Sequence, residues 1–73
     1  MKSLETRTRK LKLERLRQNK TQTQLARETG VKAGMIGWIE SGRFIPYEIH
    51  LVKIADALSV DDPEWLLEPW EEV

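Results

Sequence analysis

Residues that end a helix or mark the start of the next one divide this chain into short segments. These breaks fall at Asn19, Gly30, Gly42, Pro46 and Pro63. Between them, apolar residues recur at the spacing of amphipathic helices, and no stretch alternates long enough to indicate a strand. The sequence therefore predicts an all-α fold of five short helices, at residues 6–18, 22–29, 33–40, 47–58 and from Pro63 to the Glu68-Pro69 pair.

Capping residues support several of these boundaries. Thr21 is followed three positions later by Gln24, which is the capping-box pattern of a helix start. Asn19 and Gly30 tolerate the left-handed backbone that ends a helix, so they are expected to close the first two helices. Asp62 is expected to cap the fifth helix, because Pro63 suits the first helical position.

The length and composition limit the function classes. With 73 residues and no cysteine, the chain forms one small domain without disulfides, thiolate nucleophiles or a cysteine-based zinc site. It lacks the run of about 18 apolar residues that a membrane helix needs, so we expect a soluble cytoplasmic protein. His50 is the single histidine and is expected at the rim of the fourth helix. We therefore predict no metal, no cofactor and no enzymatic activity.

The charges are distributed unevenly although they balance overall, with 12 basic and 12 acidic residues. Residues 1–20 contain eight Lys or Arg against two Glu, whereas residues 50–73 contain one Lys against seven acids. A chain with this asymmetry can present a basic end to a polyanion. Two differently solvated helix faces explain the charges equally well, so charge alone leaves both interpretations open.

Helices 2 and 3, joined by a short turn containing Gly30, have the outline of a helix-turn-helix. Their residues closely resemble the signature of the Cro and phage-repressor family, also called the xenobiotic-response-element class. The resemblance is carried by Thr21-Gln22-Thr23-Gln24-Leu25-Ala26, Gly30-Val31, Ile36, Ile39-Glu40-Ser41-Gly42-Arg43 and Pro46, and it continues through Leu51, Ile54 to Val60 and Trp65-Leu66-Leu67. It covers about residues 11–67 without a gap.

This resemblance implies a five-helix lambda-repressor-like domain containing a helix-turn-helix. We expect a single domain over residues 1–73, with a core at about 7–67, a basic N-terminal arm at 1–6 and an acidic tail at 68–73. It also implies an ion pair between Arg15 and Glu40 that holds the fold, with Arg17 as the alternative partner. Leu25, Val31, Ile36 and Ile39 are expected to fill the space between helices 2 and 3.

The function implied is that of a DNA-binding transcriptional regulator, with repression expected. It would bind double-stranded DNA as a homodimer on a pseudo-palindromic site, with helix 3 in the major groove. The alternative is a protein-interaction module, an antitoxin or co-regulator, that holds a partner through Trp38 or a Trp65/Trp70 patch. The dependence of binding on salt concentration distinguishes the two functions, because binding that neutralises phosphates weakens steeply as the salt concentration rises.

Helix 3, which is the recognition helix in this family, departs in sequence from its relatives. Its outward positions are predicted to be Ala33, Gly34, Gly37 and Trp38, with Met35 at the margin, and the first three have no side chain that hydrogen-bonds a base. One hypothesis is that the two glycines allow a close approach in which Met35, Ala33 and Trp38 touch thymine methyl groups. The alternatives are that this surface meets protein or has lost sequence-specific binding.

The remaining candidate contacts are cationic, polar or aromatic. The resemblance places Gln22 and Arg43 at phosphates, and Lys32 replaces the usual helix cap where a phosphate approaches. Basic residues at the start of helix 1 complete the predicted DNA-binding set, which is Gln22, Lys32, Ala33, Gly34, Met35, Gly37, Trp38, Arg43, Arg7, Arg9 and Lys10. Lys20 and Glu14 occupy positions that are usually apolar in relatives.

Three tryptophans are many for a core of this size, so an apolar patch near the C-terminus is expected. Related repressors often dimerise through this end. We therefore predict a homodimer interface at Trp65, Leu66 and Trp70. A twofold dimer of this kind places its recognition helices about 34 Å apart, one turn of DNA.

Overall fold

The computed structural model describes residues 8–70. In this range it contains four α-helices and one 3₁₀ helix, and no strand beyond a single antiparallel bridge between Arg9 and Pro69. The α-helices are α1 (Lys10–Arg17), α2 (Gln22–Thr29), α3 (Ala33–Glu40) and α4 (Glu48–Ala57), and the 3₁₀ helix is Pro63–Leu67.

The bounds of α2 and α3 agree with the sequence prediction at both ends, whereas α4 is one residue shorter at each end. The predicted start of α1 is wrong within the described residues. Arg9 is extended, with φ −100° and ψ 158°, because its backbone N–H donates to the carbonyl of Glu40 at 2.7 Å. The predicted residues 6–7 lie outside the described range.

The count of five α-helices is also wrong, because Pro63–Leu67 is a 3₁₀ helix. The backbone N–H of Trp65 donates to Asp62 and that of Glu68 donates to Trp65, so both hydrogen bonds span three residues. Pro69 disfavours helical backbone at the residue before it, and Glu68 is extended with ψ 146°. The Asp62 cap is confirmed, since its carboxylate accepts from the N–H of Glu64 at 3.2 Å.

Left-handed residues close the helices. Asn19 has φ 57° and Gly30 has φ 79°, as predicted. After α3, Gly42 also has φ 79°, the N–H of Arg43 donates to Trp38 O at 2.9 Å, and that of Gly42 donates to Ile39 O at 3.1 Å. This pair of hydrogen bonds is a Schellman motif, which turns the chain back on itself after the helix.

One cluster of apolar side chains forms the core, and it draws on every helix. The four residues predicted between helices 2 and 3 are all buried in it. The cluster consists of Leu11, Leu25, Val31, Ile36, Ile39, Leu51, Ile54, Ala55, Leu58 and Leu66. Leu66, which was predicted to lie in a dimer interface, is 0% exposed within a single chain and belongs to this core.

The two ends of the described range are joined to each other. The N–H of Lys10 donates to Glu68 O at 2.9 Å, and that of Trp70 donates to Thr8 O at 2.6 Å. The Arg9 guanidinium donates to Leu67 O at 2.6 Å. Residues 68–70, which were expected to belong to a tail, are therefore part of the folded domain.

Candidate nucleic-acid interface

The turn between α2 and α3 is held by backbone and side-chain hydrogen bonds. Gly30 N–H donates to Ala26 O at 2.8 Å and is positioned by its left-handed backbone. The buried Thr29 hydroxyl donates to Leu25 O at 2.8 Å and accepts from the N–H of Val31 at 3.1 Å. Thr29 was not among the predicted residues, although a hydroxyl at a helix end commonly bonds to nearby backbone. The turn therefore fixes the orientation of α3.

A buried carboxylate at the end of α3 joins three helices. Arg15 of α1 donates from Nε to Glu40 Oε2 at 2.6 Å and from a terminal nitrogen to Oε1 at 3.1 Å. Gln22 of α2 donates from Nε2 to the same Oε1 at 3.0 Å. The predicted pairing of Arg15 with Glu40 is thus confirmed. The alternative partner, Arg17, instead lies 3.5 Å from Glu14.

The Gln22 side chain packs over Gly37. A Cβ added at Gly37 would lie 3.4 Å from Gln22 Nε2 and 3.5 Å from its Oε1. A larger side chain at this position would push the amide away from Glu40. Alanine at this position would be in ordinary contact with the Gln22 amide, so this packing limits the size of residue 37 without requiring glycine.

Gln22 also lies at the N-terminus of α2. The capping box is confirmed, since Gln24 N–H donates to Thr21 Oγ1 at 3.0 Å and Thr21 N–H donates to Gln24 Oε1 at 2.8 Å. The backbone amides of Gln22 and Thr23 have no hydrogen-bond partner among residues 8–70. Unpaired amides at a helix N-terminus are suited to an anion.

The outward side of α3 is largely apolar. Trp38 is 60% exposed and Gly34 is exposed, whereas Ala33 and Met35 are half-buried. Trp38 and Met35 line a groove together with Gly34, Lys32 and Phe44. Phe44 reaches this groove from beyond the Schellman motif, and no local sequence pattern marks it.

A second, polar groove lies beside the opposite edge of α3. It is lined by Gln22, Gly37, Ser41 and Glu40 together with Thr8 and Lys12 from the α1 side. The exposed part of α3 thus separates an apolar groove from a polar one. Such an edge is suited to a ligand that carries both apolar and charged groups.

The comparison with protein-family models gives a match over residues 11–65 to a family described as helix-turn-helix. The chain belongs to the Cro/C1-type helix-turn-helix family. This is a family of DNA-binding transcription regulators and not a family of enzymes. The comparison with curated proteins found no match.

Basic residues at the start of this helix-turn-helix domain are engaged within the chain. Lys10 Nζ lies 2.9 Å from Glu68 Oε1 and 5.2 Å from the ring centroid of the half-buried Trp65, and Arg9 bonds to Leu67 O. Lys20 Nζ pairs with Glu28 at 2.8 Å and donates to Ala57 O at 3.1 Å. The basic first segment is therefore partly neutralised by the fold. The predicted contact Arg7 lies outside the described residues.

Four exposed cations have no ion pair within residues 8–70, and three of them belong to the helix-turn-helix. They are Arg27, Lys32, Arg43 and Lys53. Lys32 precedes α3 and Arg43 follows it. The cations that remain available to a partner are therefore concentrated around the recognition helix.

The described residues were also predicted to lack a histidine-based or metal site and a membrane helix. His50 is half-buried with its ring centroid 6.0 Å from that of Tyr47, and its Nδ1 has no hydrogen-bond partner. Within residues 8–70, no group of three or more potential ligands could hold a metal ion. The same residues include no helix with the length and hydropathy needed to cross a bilayer.

Proposed function

We propose that this protein is a cytoplasmic repressor that binds duplex DNA as a homodimer, with α3 in the major groove. The observation that carries this proposal is the charge distribution along α3. Its single acid, Glu40, is buried and paired with Arg15, while the unpaired cations Lys32 and Arg43 lie beyond its two ends. A polyanion can therefore approach α3 without meeting an exposed carboxylate on the helix.

The dimensions of α3 support the proposal. With its side chains an α-helix is about 10–12 Å across, which fits the major groove of B-DNA, about 12 Å wide, and the eight residues of α3 give it a length of about 12 Å. Lys32 and Arg43 at its ends are then near the phosphates that border the groove. Gln22 and the unpaired amides of α2 provide a further phosphate contact, while Arg9 and Lys10 stabilise the fold.

The proposal predicts a steep salt dependence that depends on these two cations. Each of Lys32→Ala and Arg43→Ala is expected to lower the magnitude of the slope of log K against log salt by about 1.8, because each removes one phosphate contact from each of the two protomers. Fluorescence anisotropy of a labelled duplex between about 50 and 200 mM salt measures this slope.

Arg17→Ala is the matched control, because Arg17 is an exposed cation of α1 outside the proposed interface. Its slope is expected to equal that of the wild type. Duplex binding that is insensitive to salt, or slopes unchanged in both interface variants, would contradict the proposal. A salt-insensitive complex with a protein partner would instead favour a protein-interaction module.

The homodimer needs an exposed apolar surface, and the structure offers one that differs from the predicted C-terminal patch. Four large apolar side chains between the end of α3 and the middle of α4 are 39–74% exposed, namely Ile45, Tyr47, Ile49 and Val52. In the predicted C-terminal patch, Trp65 and Trp70 are half-buried against the domain, so they are less exposed than these four side chains. We place the twofold contact of the homodimer at the surface formed by Ile45, Tyr47, Ile49 and Val52.

Introducing a charge into this surface is expected to separate the protomers. Ile49→Glu should raise the dimer dissociation constant at least about tenfold, because it buries an unpaired carboxylate in the contact. Sedimentation equilibrium measures the change. Leu16→Glu is the control, since Leu16 is 45% exposed on α1. If both variants self-associate like the wild type, the contact lies elsewhere.

A further inference from the structure

The apolar groove beside α3 has a composition that limits what can bind there. Its volume is about 390 Å³, and its lining consists of Met35, Trp38, Phe44, Gly34 and Lys32. Apart from the Lys32 ammonium, the Trp38 indole N–H is the one side-chain hydrogen-bond donor among these residues. Base edges that require paired donors and acceptors would therefore be poorly satisfied in this groove.

Gly34 keeps the groove open, and no contact within residues 8–70 requires a glycine there. A Cβ added at Gly34 would meet no atom within 4 Å, and its backbone does not have a positive φ. Glycine weakens a helix relative to alanine, so its presence at the second position of α3 is unfavourable for folding. The open space beside Gly34 is therefore available to a group outside the chain.

The geometry points to the C5-methyl group of a pyrimidine as that group. The thymine methyl is the apolar group that an unmodified base pair presents in the major groove, and 5-methylcytosine carries a methyl at the same ring position. The unpaired cations at both ends of α3 match the phosphates that flank such a methyl. We infer that this groove recognises pyrimidine 5-methyl groups, an inference that rests on the proposed DNA binding.

The experiment compares duplexes that differ only in the methyl group. Two pairs of labelled alternating duplexes are titrated at one fixed salt concentration in magnesium-free buffer, dA–dT against dA–dU and dG–5-methyl-dC against dG–dC. The methylated member is expected to bind about fourfold more tightly for each methyl that enters the groove. The first pair tests thymine and the second tests 5-methylcytosine, and preference in either pair supports a methyl site.

Trp38→Ala is expected to reduce this preference to about one while the salt slope stays unchanged, since Lys32 and Arg43 are intact. Gly34→Ala should fold at least as stably and also lose part of the preference, because its Cβ enters the groove. Leu16→Ala serves as the control for truncating an exposed apolar side chain, and it should retain the wild-type ratio.

Three results would overturn the inference. Equal binding of both members in both pairs, with a steep salt slope, would reject methyl recognition and leave the proposed DNA binding intact. A preference that persists in Trp38→Ala and Gly34→Ala would place methyl recognition outside this groove. No salt-dependent binding to any duplex would reject the proposed function itself.

Discussion

Replacing Glu40 with alanine is expected to lower the free energy of unfolding by about 3–5 kcal/mol. The substitution leaves Arg15, which is almost fully buried, without its two hydrogen bonds to the carboxylate. It also removes the acceptor of Gln22 Nε2. Because a small domain has only about 5–15 kcal/mol of stability, much of the chain is expected to be unfolded at 37 °C. Urea denaturation followed by circular dichroism measures the loss.

Glu28→Ala provides the matched control. Glu28 pairs with Lys20 at 2.8 Å, but its side chain is 44% exposed. Exposed ion pairs contribute about 0–1 kcal/mol, so this variant should unfold almost like the wild type. A similar loss in both variants would contradict the special importance assigned to the buried pair.

The double variant Arg15→Met/Glu40→Leu separates charge from packing. Replacing both members of a buried ion pair by apolar residues is often neutral or stabilising, so most of the stability should return. Gln22 still has no acceptor in this variant. If the anchored Gln22 amide contributes to the proposed phosphate contact, duplex binding should remain weaker than in the wild type although the domain is folded.

The parts of the fold that follow from local signals could be predicted from the sequence. The capping box at Thr21 and Gln24 and the left-handed Gly30 fix both ends of α2 through groups within a few residues of each other. The start of α1 could not be found in this way. Arg9 is extended because its backbone bonds to Glu40 and pairs with Pro69, which are distant in sequence.

The candidate site shows the same limit. Helical periodicity places Gly34, Gly37 and Trp38 outward on α3, in agreement with their partial or full exposure. It cannot show that a long side chain from another helix, Gln22, covers Gly37. It also cannot show that Phe44 joins the groove, since this depends on the turn after α3. Side-chain contacts between distant elements were thus beyond the reach of the pattern.

The C-terminal apolar residues were ambiguous for a related reason. Trp65, Leu66 and Leu67 are consecutive, so periodicity does not decide which of them points inward. In the 3₁₀ helix, Leu66 is fully buried while Trp65 and Leu67 are only partly buried. Leu66 was therefore grouped with Trp65 and Trp70 in a surface patch, although Leu66 completes the core.

Replacing Leu66 with alanine is expected to lower the free energy of unfolding by about 2–5 kcal/mol, because the truncation leaves a cavity between the 3₁₀ helix and the rest of the core. Urea denaturation measures this loss. Leu16→Ala makes the same chemical change at a side chain that is 45% exposed, so its effect should be much smaller.

The same variant decides between a core and an interface role for Leu66. A core residue affects the unfolding of the monomer, whereas an interface residue affects the dimer dissociation constant and leaves the monomer intact. We expect the Leu66→Ala monomer to unfold at lower urea at every protein concentration. If the monomer of this variant were as stable as the wild type while sedimentation showed weaker self-association, the result would support the predicted dimer interface at the C-terminal residues. The contact around Ile49 would then lose its support.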